Sequence, residues 1–164
     1  MKSGSKVRSK SVVGRRSKKP TDSVLKDKKV LIVDDDDVCC VGLKRVLADL
    51  GIQASSANSG RQGLKEIKKG TFDLVLLDVM MPDLDGWEVA KMLRTGKNYP
   101  DVRLLFMTGL IDYSQAKWLN NCESDRDKIF SKTCSPDELL AMMESSFKEV
   151  DSKPKKKATV SLTS

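Results

Sequence analysis

Short apolar runs alternate with segments of helical periodicity from residue 29 to residue 149. The runs predict β-strands at 29–33, 52–57, 74–77, 102–107 and 129–131. Helical spacing predicts helices at 38–50, 60–69, 87–94 and 112–120, and a last helix after Ser135. The strand runs are mostly continuous in apolar residues, which is typical of a parallel sheet covered on both faces. The pattern therefore predicts an α/β domain.

The last helix has a clear start signal in the sequence. Ser135 precedes Pro136 and is followed three positions later by Glu138. This order predicts a capping box, with proline at the first helical position. The apolar face of the helix repeats at helical spacing, through Leu139, Met143, Phe147 and Val150. Helix packing accounts for the methionine there better than a cofactor site does.

Charge is unevenly distributed along the chain. Lys and Arg (30) exceed Asp and Glu (23), but the excess lies at the two ends, and residues 30–150 are net acidic. Basic segments without hydrophobic periodicity cannot bury enough apolar surface to fold. We therefore predict disordered basic tails at 1–28 and 151–164 around one domain at 29–150. The tails are compatible with nuclear import or with nucleic-acid contacts, and a simple solubilising role is the alternative.

Cysteine usage and hydropathy predict the cellular environment. The chain has four cysteines and no histidine, and no pair of cysteines has metal-finger spacing. Reduced thiols are expected, and Cys39 and Cys40 are expected to pack along a helix. No apolar run approaches membrane-spanning length. We expect a cytoplasmic protein without a membrane partner, and nuclear localisation through the basic tails is the alternative.

Polar residues follow the predicted strands at matching positions. Asp34 and Asp35 follow the first strand, Asp78 the third, Thr108 the fourth and Lys132 the fifth. The carboxyl ends of parallel strands meet at one edge of a sheet, where ligands bind. Crowded carboxylates favour a hard cation such as Mg²⁺, and an ionised Asp beside it is a plausible nucleophile toward phosphorus. Thr108 and Lys132 would then contact phosphoryl oxygens.

Each of these residues also has a structural interpretation on its own. Asp36 or Asp37 fits a helix N-cap, Thr108 a strand-end hydroxyl, and Lys132 a surface lysine. Their common position at strand ends favours the phosphoryl site over these separate explanations.

The segment 77–86 reads Leu-Asp-Val-Met-Met-Pro-Asp-Leu-Asp-Gly. Together with 30–37, 106–109 and 131–132, it resembles the receiver domain of two-component response regulators, over about residues 28–149. The resemblance implies a flavodoxin-like, doubly wound sheet of five parallel strands in the order 2-1-3-4-5, with helices on both faces.

The resemblance also implies roles at the site. Asp78 would accept a phosphoryl group from a histidine kinase or a histidine phosphotransfer protein. Asp34, Asp35, Asp78 and the backbone carbonyl of Met80 would hold Mg²⁺.

Further roles concern the response to phosphorylation. Thr108 would be the switch hydroxyl, and Lys132 would pair with the phosphoryl group. A downstream protein would bind the face formed by the 112–120 helix, the fifth strand and the last helix. The protein would be a phosphoacceptor with at most slow self-dephosphorylation rather than an enzyme.

Three departures from the family pattern stand near the end of the domain. Thr133 follows Lys132 where the family usually has proline, and a non-proline cis peptide costs about 3 kcal/mol, so we expect a trans bond. Ile129 occupies the aromatic switch position, and the neighbouring Phe130 is expected to face the opposite side. Residues 120–127 are acidic where small residues are usual.

Two other functions fit parts of the sequence. Asp34-x-Asp36 after an apolar strand, with Thr108 and Lys132 in later order, fits a haloacid-dehalogenase-type phosphatase. The acidic pair expected beyond the lysine is missing, because Asp137 and Glu138 belong to the helix start. A phosphorylation-independent scaffold that acts through the tails is the other alternative. With 14 residues after Val150, we expect a single-domain regulator that signals through a protein contact.

Overall fold

The structure is a computed structural model that describes residues 24–70, 72–96, 99, 102–109 and 128–148. Residues 1–23 of the tail predicted at 1–28, the tail predicted at 151–164, the helix predicted at 112–120 and the acidic segment 120–127 lie outside the described residues. Predictions about these segments therefore stay predictions.

The described residues form alternating strands and helices. The strands are β1 Lys29–Val33, β2 Gln53–Ala57, β3 Leu74–Asp78, β4 Arg103–Thr108 and β5 Lys128–Ser131. The helices are α1 Asp37–Asp49, α2 Gly60–Ile67, α3 Gly86–Thr95 and α4 Pro136–Lys148. Each agrees with a predicted element to within one or two residues at either end.

The strands form one parallel sheet in the order β2-β1-β3-β4-β5. This confirms the predicted flavodoxin-like topology. Val33 is opposite Leu77, and Leu77 is opposite Phe106, so β1, β3 and β4 end at one edge of the sheet. The order of the strands reverses between β1 and β3, which is where such sheets bind ligands.

Alternate side chains of each central strand enter two separate cores. Val30 and Ile32 pack with α1 and α4 on one face, whereas Leu31 and Val33 pack with α2 and α3 on the other. The central strands are buried on both faces, which explains why their sequences are continuously apolar. Phe130 and Ile129 also belong to opposite cores, as the alternation of a strand requires.

The residues just before β1 correct the predicted boundary of the N-terminal tail. Leu25 is 1% exposed and belongs to the core on the α1 and α4 side. Lys28 Nζ lies 3.3 Å from Asp73 Oδ1, and the Lys29 N–H donates to Asp73 Oδ2 at 3.0 Å. Leu25 and Lys28 therefore pack against the domain, although their basic surroundings predicted disorder. The burial of Leu25 could not be predicted, because a single apolar residue produces no periodic pattern in the sequence.

None of the helices in the described part of the chain has the length and hydropathy needed to cross a membrane.

Candidate functional site

Two buried carboxylates stand at adjacent strand ends. Asp34 directly follows β1, and its N–H donates to the Ala57 carbonyl at 3.1 Å. Asp78 is the last residue of β3 and pairs with Met107 of β4. Asp34 is fully buried and Asp78 is 2% exposed. Burial of two ionisable groups side by side is unfavourable unless other groups compensate their charge.

The consecutive aspartates at the start of α1 have different roles. The Asp36 side chain accepts hydrogen bonds from the N–H groups of Val38 (2.8 Å) and Cys39 (3.3 Å), so Asp36 is the N-cap. Its own N–H donates to Asp34 Oδ1 at 3.0 Å. The prediction that Asp36 or Asp37 caps the helix is confirmed for Asp36. Because its carboxylate already accepts the two N–H groups of the helix start, Asp36 is poorly suited to be the second acid of a phosphatase motif.

The carboxylates of Asp34, Asp35 and Asp78 form one cluster. Their nearest oxygens all lie within 4.8 Å of one another, with Asp35 exposed at the open side. Asp34 Oδ2 is buried, and the Lys132 ammonium 2.8 Å away compensates its charge. A donor set made only of carboxylate oxygens fits a hard cation such as Mg²⁺.

Lys132 extends into the same cluster from the loop after β5. Its Nζ lies 2.8 Å from Asp34 Oδ2 and 3.1 Å from Asp78 Oδ2. Burial opposes the charged form of Lys132, but the two carboxylates outweigh it and raise the pKa of the ammonium. The Lys132–Thr133 peptide bond is trans, as predicted. The missing proline therefore does not keep the lysine out of the cluster.

The surroundings of Asp78 act on its ionisation in opposite directions. Burial raises the pKa of Asp78, the contact with Lys132 lowers it, and the charge of Asp34 raises it again, so that the net shift is upward. The Met80 N–H donates to Asp78 Oδ1 at 3.3 Å. The two oxygens of Asp78 thus have different partners, the backbone at Oδ1 and the ammonium at Oδ2.

Thr108 and Met80 lie beside the cluster, but the predicted roles of both remain predictions. Thr108 ends β4 opposite Ser131, and its carbonyl accepts the Lys132 N–H at 2.9 Å. Met80 is 58% exposed, and its backbone N–H donates to Asp78. These positions suit a hydroxyl near the transferred group and a carbonyl near the metal.

The loop after Asp78 packs tightly under the site. The Gly86 N–H donates to the Val79 carbonyl at 3.1 Å, and a Cβ at Gly86 would collide with the Asp78 carbonyl oxygen. A glycine is therefore needed at the start of α3. The next residue, Trp87, stacks on Phe106 with ring centroids 4.2 Å apart. Close packing thus explains why the segment 77–86 ends in glycine.

Two thiols contact the backbone and side chain of Asp34, a role that the sequence did not indicate. Cys40 Sγ donates to the Asp34 carbonyl at 3.5 Å. Burial raises the pKa of Cys39 to about 12, with a hydrogen bond to Asp34 adding to the rise, and burial raises the pKa of Cys40 to about 11. Both cysteines therefore remain protonated at neutral pH, which makes them poor nucleophiles.

The family model described as the response regulator receiver domain matches residues 30–144. The fold, the acidic edge and this match together define the class, and the chain belongs to the response regulator receiver domain family.

Three relatives from bacteria are similar in sequence. The transcriptional regulatory protein PcoR of Escherichia coli is 42% identical over 81 residues, or 49% of this chain and 34% of PcoR. CusR of Escherichia coli K12 is 31% identical over 69% of this chain and 48% of its own length. The DNA-binding response regulator MtrA of Mycobacterium tuberculosis is 31% identical over 77% and 53%. The chain thus spans about half the length of these relatives, or less.

Solved receiver structures have the same fold. The chemotaxis protein CheY4 of Vibrio cholerae superposes with a TM-score of 0.63 at 26% identity, over 72% of this chain and 97% of CheY4. A CheY-like receiver of Methanospirillum hungatei has a TM-score of 0.61 at 30% identity, over 74% and 94%. TrrA of Thermotoga maritima, solved with Mg²⁺ and BeF, has a TM-score of 0.62 at 28% identity, over 73% and 98%.

Proposed function

We propose that this receiver domain accepts a phosphoryl group on Asp78 from a phosphohistidine and passes the signal on through a protein contact. One observation carries the proposal. Three carboxylate groups and one ammonium, from Asp34, Asp35, Asp78 and Lys132, meet at the edge of the sheet where the strand order reverses. Packing of a core does not explain this combination, whereas phosphoryl transfer uses a metal ion and a cationic side chain to stabilise the charge of the transferred group.

The transfer consists of one displacement at phosphorus. A carboxylate oxygen of Asp78 forms a bond to phosphorus while the bond from phosphorus to the donor histidine nitrogen breaks. The histidine leaves with the electron pair, and the acyl phosphate stays on Asp78. Lys132, already in contact with Asp78 Oδ2, stabilises the negative charge of the transferred oxygens. Thr108 supplies a hydroxyl from the end of β4.

Asp34, Asp35, Asp78 and the carbonyl of Met80 are the residues that would hold Mg²⁺. When bound, Mg²⁺ would supply positive charge for the phosphoryl oxygens. The likeness to TrrA, which was solved with Mg²⁺ and BeF, supports this assignment. Asp35 is exposed, whereas Asp34 and Asp78 are buried, so the cluster opens to solvent on the Asp35 side.

The protein itself is proposed to be a phosphoacceptor without turnover of an external substrate, apart from slow loss of its own phosphate. Its donor is proposed to be a histidine kinase or a histidine phosphotransfer protein in the cytoplasm, or in the nucleus as the alternative. PcoR, CusR and MtrA are named for transcriptional or DNA-binding regulation, but the match covers about half of those proteins or less.

The proposed output face includes β5 and α4. A groove of about 520 Å³ lies there, lined in part by Ile129, Phe130, Glu138 and Met142. Ser131 and Thr133, which flank Lys132 in the sequence, also line this groove. A change in the contacts of Lys132 on phosphorylation would therefore reach this groove over a short distance.

The test is the intact mass of the protein after incubation with acetyl phosphate, with and without Mg²⁺. The expected result is a Mg²⁺-dependent gain of one phosphoryl group that disappears in Asp78→Asn. Asp49→Asn, at the exposed end of α1, is the matched control and should gain the group normally. No gain in a folded wild-type protein would overturn the proposal and favour a scaffold independent of phosphorylation.

A further inference from the structure

We infer that Ser131 and Thr133 are positioning residues whose paired hydroxyl groups hold the turn that directs Lys132 to Asp34 and Asp78. The inference rests on the proposed function, because it concerns the same site. It assigns a role to two side chains on either side of the lysine.

The backbone around Lys132 forms a tight turn at the end of β5. The Cys134 N–H donates to the Ser131 carbonyl at 3.0 Å, which closes a four-residue β-turn. The Lys132 N–H donates to the Thr108 carbonyl at 2.9 Å and ties the turn to β4. Lys132 is the second residue of this turn, and its side chain extends into the acidic cluster.

Two side chains add hydrogen bonds across the same turn, on its exposed surface. Ser131 Oγ and Thr133 Oγ1 lie 2.7 Å apart, and either hydroxyl can donate. The Thr133 N–H also donates to Ser131 Oγ at 3.2 Å. A hydroxyl that bonds to the backbone two residues later stabilises a turn locally. Both contacts span Lys132 and thereby restrict the backbone from which its side chain starts.

The turn needs such support because Thr133 is not proline. Proline would fix φ through its ring, whereas threonine leaves φ free, so other contacts must restrict the loop. Lys132 has a long flexible stem, and its Nζ must reach oxygens of two different carboxylates at 2.8 and 3.1 Å. A displacement of about 1 Å in a positioned group can change a reaction rate by roughly a hundredfold.

The experiment measures the initial rate of phosphoryl uptake from acetyl phosphate with saturating Mg²⁺. Thr133→Val removes one hydroxyl contact and keeps the shape, whereas Ser131→Ala removes both contacts. We expect Thr133→Val to be slower by about threefold and Ser131→Ala by about tenfold, the range for loss of neutral hydrogen bonds. Thr133→Ser retains the hydroxyl and should restore the wild-type rate.

Matched controls come from other elements. Ser55→Ala changes an exposed serine of β2 at the opposite edge of the sheet. Thr95→Val removes a hydroxyl that donates to the Lys91 carbonyl at 2.8 Å in α3. Both should keep the wild-type rate. The inference is overturned if Ser131→Ala and Thr133→Val keep the wild-type rate, or if the controls slow uptake equally.

A second measurement separates positioning from a merely structural role, and it needs no phosphoryl donor. Urea unfolding is compared for the wild type, Lys132→Met, Ser131→Ala and the double variant. If Ser131 acts through Lys132, the shift in midpoint caused by Lys132→Met becomes smaller in the Ser131→Ala background. Equal shifts in both backgrounds would overturn the inference. If the wild type takes up no phosphoryl group, the proposed function fails, and this cycle still decides the inference.

Discussion

The Nζ atom of Lys132 lies 3.1 Å from Oδ2 of Asp78, so an ammonium from the loop after β5 contacts the carboxylate at the end of β3. The lysine side chain is 22% exposed and the Asp78 side chain 3% exposed. The pair is therefore mostly shielded from water, and the same ammonium also compensates Asp34. Loss of the lysine would leave two neighbouring carboxylates without their cation.

The first prediction is that Lys132→Met destabilises the protein, because it leaves buried carboxylates unpaired. We expect a loss of about 2 kcal/mol in Mg²⁺-free buffer, below the range for fully buried pairs because Asp78 can take up a proton. Added Mg²⁺ should reduce the loss, since it would compensate the same carboxylates. Urea denaturation with and without Mg²⁺ measures both effects.

The control for that substitution is Lys68→Met at the exposed end of α2. It removes a solvated charge and should change stability by less than about 0.5 kcal/mol. Similar losses in Lys132→Met and Lys68→Met, or a loss that Mg²⁺ leaves unchanged, would contradict the importance of the contact between Lys132 and Asp78.

The fold and the positions of Asp34, Asp78 and Lys132 could be predicted from the sequence, because both depend on the alternation of apolar strands and helices. Asp34 and Asp78 were predicted from apolar runs that end in acids, and the topology of a parallel sheet brings such ends together. Lys132 was predicted at the same edge, although Thr133 replaces the usual proline. The predictable part is therefore the part that follows from burial and strand direction.

Contacts that depend on local geometry or on a single distant residue were not predictable. The sequence left the N-cap open between Asp36 and Asp37, and only the backbone at α1 shows that it is Asp36. The hydroxyl contact between Ser131 and Thr133 depends on the shape of one turn. Leu25 is buried by a contact with the core, although basic residues surround it in sequence. Periodicity carries no information about such contacts.

The second prediction concerns the pH dependence of stability through Asp78. The pKa of Asp78 is raised in the folded state, mainly by burial, so folding favours its protonated form. Its contribution to stability is present below the unfolded pKa of about 3.9 and is lost as the pH rises through the folded pKa. Asp78→Asn should therefore raise stability at neutral pH in Mg²⁺-free buffer. Urea denaturation across the acidic to neutral range measures this.

The gain from Asp78→Asn should shrink as the pH falls, because the wild-type carboxyl then becomes neutral as well. Asp49→Asn is the control and should leave the pH profile unchanged, since Asp49 is exposed at the end of α1. A gain that is constant across the range would show that Asp78 ionisation does not limit stability.

The third prediction concerns the capping box of α4. The Ser135 N–H donates to Glu138 Oε2 at 2.8 Å, and the Glu138 N–H donates to Ser135 Oγ at 3.3 Å. The bond from the Ser135 backbone lowers the pKa of Glu138, so its stabilising effect is present above the unfolded pKa of about 4.3 and is lost as the pH falls through the folded pKa. Glu138→Gln should remove this acidic dependence.

Ser135→Ala tests the other half of the box. It removes the hydroxyl that accepts the Glu138 N–H, and loss of an N-cap side chain costs about 1 kcal/mol. Thermal unfolding at neutral and acidic pH measures both variants. Asp137→Asn, next to Glu138 in the first turn of α4, is the control, because the reciprocal pair is formed by Ser135 and Glu138. An acidic dependence that Glu138→Gln leaves intact would contradict the assignment.

The fourth prediction compares a glycine in a crowded position, Gly86, with a glycine that has open space around it, Gly42. A Cβ at Gly86 would lie against the Asp78 carbonyl oxygen and 3.1 Å from Val79 Cα, so Gly86→Ala must displace the backbone under the site. We expect a loss of about 2–3 kcal/mol and slower phosphoryl uptake. Gly42 lies in α1, where an added methyl group would have open space around it, so Gly42→Ala should gain about 1 kcal/mol from helix propensity.

Urea denaturation and the phosphoryl-uptake assay, applied to both variants, separate local strain from a general effect of alanine. Opposite signs for Gly86→Ala and Gly42→Ala are expected, with uptake reduced in the first variant alone. If Gly86→Ala retained full stability, the carbonyl of Asp78 could move without loss, and close packing under Asp78 would not fix the position of its carboxylate. Reduced uptake at retained stability would instead locate the effect in the geometry of Asp78 itself.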